Sequence, residues 1–235
     1  MPSQVKFSDG STITYTYGAD GVKLRTVHKI GGVTTTTDYC DNVIYENGTA
    51  KQLLTEEGYV SLSDKKYHYY LKDHQGNNRV VTDQAGGMEE ANYYYPFGGV
   101  FLSNGNDVQA YKYNGKELDT KKGLNWYDYG ARQYDAALGR FTAVDPLTEK
   151  YYEMSPYTYC GNNPIKYIDP TGMFYTGYTV NEKGHIKIVS DEGGNYYDVL
   201  YNESSYSVKT VKNYDTSGDK TGIKISKGIL NERAG

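Results

Sequence analysis

Two aspartates stand in closely similar words, Val144-Asp145-Pro146 and Ile168-Asp169-Pro170. A proline restricts the residue before it to extended backbone angles, so each carboxylate projects from the chain in a set direction. Between them, Asn162-Asn163-Pro164 invites a turn that would double the chain back. Carboxylates brought together in this way share a proton, because the second negative charge is disfavoured beside the first. One then acts as general base on a water while the other, still protonated, polarises a peptide carbonyl. The same residues also have a purely structural use: an aspartate before proline caps a turn through side-chain to backbone hydrogen bonds. Both readings are open at this point. Arg140, in Gly139-Arg140-Phe141, is a candidate to support the carboxylates, or else a strand-edge salt bridge. Arg132, in Gly130-Ala131-Arg132, reads as structural, its guanidinium stacked on nearby tyrosines.

No other group of residues has comparable spacing. His28, His68, His74 and His185 show no metal-ligand spacing, and neither Cys40 nor Cys160 sits beside one, so no metal and no cofactor is expected. The chain lacks a Gly-x-Ser-x-Gly elbow, and its Gly-Gly words lack phosphate-loop spacing. Asp191, Glu192, Asp198 and His185 read as a solvated loop. The two cysteines, far apart in the chain, read as free thiols.

The elements that must position these aspartates are strands. ITYTYG, VTTTTDY and DNVIYENG alternate or carry β-branched residues, and Gly31-Gly32 and Asn47-Gly48 tolerate the positive φ of tight hairpins. Tyr17 to Leu24 aligns loosely with Tyr70 to Val80, a weak internal repeat. Helix is scarce, the best candidates being single turns around Leu147 to Tyr152, after Asp145-Pro146. Tyrosine supplies 28 residues against 5 Phe and 1 Trp, so phenol rings must provide much of the buried apolar area. Each buried ring then needs a partner for its hydroxyl.

A net charge of -4 gives no general pull toward nucleic acid or anionic lipid. The opening residues MPSQVKFSDG lack the basic and apolar regions of a signal peptide, and no apolar run is long enough to span a bilayer.

The stretch from Tyr127 to Gly172 reads YDYGARQYDAALGRFTAVDPLTEKYYEMSPYTYCGNNPIKYIDPTG. It follows, in order, KDHQGNNRVV, NYYYPFGG (Asn92 to Gly99) and YNGKELD (Tyr113 to Asp119). From about Lys66 to Gly172 the chain thus resembles the end of an Rhs or YD-repeat shell and its repeat-associated core, as found in bacterial polymorphic toxins. The resemblance implies a mainly β fold: short antiparallel hairpins of a YD-repeat shell, a loop-rich core plug and a small β-rich C-terminal extension. It divides the chain into partial repeat strands over 1–95, the core over 96–172 and a variable tail over 173–235. Members of that family cut themselves just after the second Asp-Pro word, which here places the cut at Gly172-Met173 or Met173-Phe174. The enzyme would be at most an intramolecular aspartic autoprotease built on Asp145 and Asp169, with Arg140 supporting. Asp169-Pro170-Thr171-Gly172 matches the family's Asp-Pro-x-Gly word, whereas Asp145-Pro146-Leu147-Thr148 lacks the glycine.

The implied role is to close the shell and release a C-terminal payload in competition between bacteria. Implied partners are the chain's own payload segment, a secretion apparatus and an immunity protein. The implied location is outside the cell or on its surface, by a specialised export route. The contrasting expectation is a non-catalytic structural or adhesive β module, whose tyrosine-rich faces bind glycans or proteins.

Overall fold

The computed structural model describes residues 2–19, 21–105, 108–150 and 152–175, together with the strand backbones at 176–180, 186–192, 195–201 and 208–211. The rest of the expected tail, including His185, lies outside the described residues.

The described chain is almost entirely antiparallel β. Eleven strands form one meander in which every strand pairs with its sequence neighbours. They are β1 (Gln4–Lys6), β2 (Thr12–Tyr17), β3 (Lys23–Ile30), β4 (Val33–Cys40), β5 (Val43–Glu46), β6 (Thr49–Thr55), β7 (Gly58–Ser61), β8 (Lys66–Lys72), β9 (Asn78–Asp83), β10 (Met88–Tyr94) and β11 (Val100–Gly105). A four-stranded meander follows, β12 (Glu117–Asp119), β13 (Trp126–Asp128), β14 (Gln133–Asp135) and β15 (Arg140–Phe141). The third sheet runs through β16 (Tyr167–Ile168), β17 (Thr176–Val180), β18 (Ile186–Glu192), β19 (Asn195–Tyr201) and β20 (Val208–Val211). The expected turn near Leu147 is a single 3-10 turn, Thr148–Lys150.

Turn chemistry explains the meander. Ile30 pairs with Val33 and Glu46 with Thr49, which leaves Gly31-Gly32 and Asn47-Gly48 as two-residue loops with φ positive at both positions. A second turn recurs in three-residue form. At Phe7/Ser11, Gly18/Val22, Asp73/Asn77, Asp83/Gly87 and Tyr95/Gly99 the first N–H donates to the last carbonyl. In each, the glycine just before the last residue has φ between 77 and 84 and returns its N–H to the first carbonyl. This is a type I turn closed by a glycine bulge, whose twist suits a hairpin. The weak repeat seen in the sequence is this turn, at Gly18–Val22 and Asp73–Asn77.

The core that carries the aspartates is aromatic. Tyr113, Tyr127, Tyr129, Tyr134 and Tyr159 are buried together with Leu118, Phe141 and Cys160. Tyrosine rather than phenylalanine fits because every hydroxyl has an acceptor. Tyr113, Tyr134 and Tyr127 donate to the carbonyls of Pro96, Phe97 and Gly98 at 2.9, 2.7 and 2.9 Å. Tyr129 and Tyr159 both donate to Asn114 Oδ1, at 2.8 and 2.7 Å. The rings supply the apolar area, while the hydroxyls fasten the loop after β10 and the turn before β12 to one centre. Cys40 is exposed, Cys160 is buried in this centre, and both are free thiols.

Candidate active site

The four-stranded sheet and the loops after it bring three charged side chains together. Arg132, 2% exposed, ends the β13–β14 connection, where the carbonyl of Arg132 accepts from Tyr129 N–H. Asp145 lies after β15, its N–H donating to the carbonyl of Pro156. Asp169 directly follows β16 and is 2% exposed. Arg132 Nη2 is 2.9 Å from Asp145 Oδ2 and 3.6 Å from Asp169 Oδ2. Arg132 also stacks on Phe141, with its guanidinium carbon 3.6 Å from the ring centroid, and donates through Nη1 to Pro156 O at 3.1 Å.

Each aspartate divides its two oxygens between two tasks. Asp145 Oδ1 accepts from Leu147 N–H at 2.8 Å, and Asp169 Oδ1 accepts from Thr171 N–H at 3.1 Å and Gly172 N–H at 2.6 Å. Those are turn caps of the kind an Asp-Pro word suggests. The Oδ2 atoms face the shared guanidinium. Turn capping and contact with one shared guanidinium therefore coexist in the same two side chains.

The turn Asp169-Pro170-Thr171-Gly172 is held at three successive carbonyls. Lys116 Nζ donates to Pro170 O at 2.5 Å, Ala131 N–H to Thr171 O at 3.1 Å, and Arg132 Nε to Gly172 O. Gly172 has φ of 75, and a Cβ there would sit 3.1 Å from the backbone of Arg132 and Tyr129. Only glycine fits both the angle and the approach.

Burial raises the Asp169 carboxyl from its ordinary 3.8 to about 6, against the opposing effects of the Gly172 N–H, Arg132 and the Thr171 N–H. Proximity to Asp145 adds to the rise. Burial also lowers the Arg132 pKa against the pull of both carboxylates. A cavity of about 20 Å³ opens beside Asp145, Asp169, Ser155, Cys160, Met173 and Phe174. That is room for one water molecule.

Of the residues singled out from sequence, Asp145, Asp169, Gly172 and Met173 meet here. Arg140 points elsewhere: its Nη1 donates to Asn162 Oδ1 at 2.6 Å and to the carbonyl of Gly139 at 3.2 Å. The guanidinium between the carboxylates is that of Arg132, which stacks on Phe141 rather than on tyrosine. Its sequence signal was an arginine set among aromatic residues, where burial requires a carboxylate partner.

No family model matches the chain. It is 41% identical over 113 residues to Salivary gland surface protein 1 of Aedes aegypti, an alignment covering 47% of this chain and 3% of that protein. It is 30% identical over 207 residues to the tRNA(Glu)-specific nuclease WapA of Bacillus subtilis subsp. natto, covering 76% of this chain and 9% of that one. Among solved structures, the TcdB2-TccC3-TEV crystal structure superposes with a TM-score of 0.61 at 22% identity, over 73% of this chain and 10% of that one. TcdB2-TccC3 without its hypervariable C-terminal region gives 0.60 at 21% over the same shares. The structural likeness establishes a shared β-shell fold. The chain spans about a tenth or less of each of these proteins.

Proposed function

We propose that this chain is the closing segment of an Rhs-type toxin-delivery protein and that it cuts its own backbone after Gly172. In this reading residues 1–95 are shell strands, 96–172 the core, and 173–235 a variable C-terminal segment released by the cut. The observation that carries the proposal is one guanidinium that faces both Asp145 and Asp169 and also binds the carbonyl of Gly172.

A water between the carboxylates loses a proton to ionised Asp145 as its oxygen attacks the Gly172 carbonyl carbon. Arg132 Nε stabilises the charge that develops on the carbonyl oxygen. Protonated Asp169 gives its proton to the Met173 nitrogen as the C–N bond breaks, leaving a Gly172 carboxyl and a Met173 amine. The raised pKa of Asp169 suits it to hold the shared proton. Likeness to TccC3, whose hypervariable C-terminal region was removed in one of the matching structures, supports the placement of a variable segment after the core. Export by a specialised route, with an apparatus and an immunity protein as partners, belongs to the same proposal.

Intact mass spectrometry of the purified chain tests it. A fragment ending at Gly172, absent from Asp145→Asn and Asp169→Asn, is the expected result. A wild-type chain that stays full length from pH 4 to 8 sinks the cleavage step and leaves a non-catalytic β module.

A further inference from the structure

The cleavage chemistry leaves one buried reactive cluster unused: Lys112, Glu90 and Asn92, which are 2%, 0% and 1% exposed. Glu90 and Asn92 stand two apart on β10 and so share a face of the sheet. Lys112 comes to that face from the segment before β12. Its carbonyl accepts from Asn78 N–H at 3.1 Å, and Asn78 Nδ2 donates to Tyr111 O at 2.7 Å, which ties the backbone around the lysine to β9.

The three side chains meet at one atom. Lys112 Nζ donates to Glu90 Oε1 at 2.5 Å, and Asn92 Nδ2 donates to the same oxygen. The amine and the amide are thus neighbours across a single carboxylate oxygen. On the far side of the amide, Asn92 Oδ1 accepts from Ser103 Oγ at 2.9 Å, a donor placed to stabilise charge that develops on that oxygen. Glu90 Oε2 accepts from Val108 N–H at 2.9 Å, which fixes how the carboxylate is turned. Gln109 Nε2 is a second amide near Oε1, at the longer distance of 3.4 Å. An amine, an amide carbon and a proton carrier held together away from solvent are the parts that an amide exchange needs.

We infer that Lys112 and Asn92 become covalently joined through a side-chain amide, with Glu90 as the proton carrier. Lys112 passes a proton to Glu90 Oε1, and the freed lone pair on Nζ attacks Asn92 Cγ while Ser103 holds Oδ1. Glu90 then gives its proton to Nδ2 and takes another from Nζ. The Cγ–Nδ2 bond breaks and ammonia leaves. What was a buried ion pair beside an amide is now a neutral acid beside a new amide. Removing two charges from a site that water does not reach favours the products. The link ties β10 to the segment that leads into the four-stranded sheet and closes a ring between Asn92 and Lys112.

Intact mass reads the reaction, because the link lowers the mass by about 17 Da, one ammonia. Both residues precede Gly172, so the deficit is expected in the full chain and in a fragment cut after Gly172 alike, and the inference stands apart from self-cleavage. Asn47, Asn104 and Asn114, each followed by glycine, lose the same mass when they close to a succinimide, so the site must be located. Chymotrypsin cuts at Tyr95 and Phe101, between the joined residues. Tandem mass spectrometry should therefore find the peptides that carry Asn92 and Lys112 still held together after digestion. Glu90→Gln and Lys112→Arg should each show the full mass of their sequence and no joined peptides, with circular dichroism checking that the sheets have formed. Where a variant does not fold, the parent's own mass and joined peptides decide. The inference is overturned by a parent protein that keeps its full sequence mass after prolonged incubation at neutral pH, or by a deficit that maps to a succinimide or to Gln109. A deficit that persists in Lys112→Arg, or a link that forms equally in Glu90→Gln, overturns it as well.

Discussion

Arg132 donates its Nε proton to the carbonyl oxygen of Gly172, 40 residues further along the chain. The arginine thus grips the turn that it also neutralises, since its Nη2 faces the carboxylates of Asp145 and Asp169. A planar fork serves all these acceptors at once, and an ammonium group does not.

Arg132→Lys should therefore fail in two separable ways. A lysine reaches one carboxylate at most and leaves Gly172 O and Pro156 O unbound, at a cost of about 3–5 kcal/mol for a disrupted buried pair. Urea unfolding should show that loss, and intact mass should show that cleavage stops even at temperatures where the variant stays folded. Retained cleavage in Arg132→Lys would remove the guanidinium from the mechanism.

Lys116 tests the same turn from its other end. Its Nζ holds Pro170 O at 2.5 Å and lies 5.2 Å from the Tyr129 ring centroid. Lys116→Met keeps the apolar stem and deletes the donor. The expected outcome is a stability loss of about 1.5–3 kcal/mol, the range for a hydrogen bond to a charged group. Cleavage should slow without being abolished, because Arg132 and Ala131 still hold the next two carbonyls. A time course by mass spectrometry reads this directly.

Asp169 should make both stability and cleavage depend on pH near 6. Its carboxyl is raised from 3.8 to about 6 in the folded chain. Between those values the folded state binds more protons than the unfolded state, so this group's contribution to stability falls as pH rises and levels off above about 6. A shift of this size corresponds to at most roughly 3 kcal/mol. In an Asp145→Asn background, where cleavage is off, urea midpoints measured from pH 4 to 7 should decline, and adding Asp169→Asn should flatten that decline. In the parent chain, cleavage should slow as pH rises through about 6, because Asp169 then loses the proton it must donate.

Local chemistry was legible in the sequence and long-range partner choice was not. Asn47-Gly48 and Gly31-Gly32 announce their hairpins because few residues tolerate positive φ, and the structure uses them as two-residue loops. Asp145 and Asp169 were conspicuous because a following proline constrains each of them. The role of Arg132 was hidden, since an arginine's partner depends on which loops the tertiary fold brings within its reach. Arg140 sits in the more conspicuous word, yet its β15 pairing to Thr158 turns it toward Asn162. The tyrosine excess was visible as composition, but the carbonyls that make tyrosine preferable to phenylalanine belong to residues 96–98, far from most of the rings.

Asn114 is the polar hub on which that aromatic core depends, and its removal should cost more than its single side chain suggests. Its Oδ1 accepts from Tyr129 and Tyr159, its Nδ2 donates to Gln75 O at 3.1 Å, and its own N–H donates to Asn77 Oδ1 at 2.8 Å. It also adopts φ of 49, a left-handed angle that asparagine tolerates better than most residues. Asn114→Ala deprives Tyr129 and Tyr159 of that acceptor and leaves alanine at an unfavourable backbone angle. The two hydroxyls lie 2.9 Å apart, so one can donate to the other and only one proton is stranded. One stranded donor at about 1–3 kcal/mol, plus backbone strain of about 1 kcal/mol, gives an expected loss of roughly 2–4 kcal/mol. Asn114→Asp keeps Oδ1 and the tolerance for the angle, and should lose less at neutral pH. Adding both Tyr129→Phe and Tyr159→Phe to Asn114→Ala removes the stranded donor and should recover part of the loss, whereas Tyr129→Phe alone strands Tyr159 in its place. Urea unfolding of these variants in the Asp145→Asn background measures each step, and an Asn114→Ala protein within 0.5 kcal/mol of its parent, the ordinary range for a surface change, would remove Asn114 from this role.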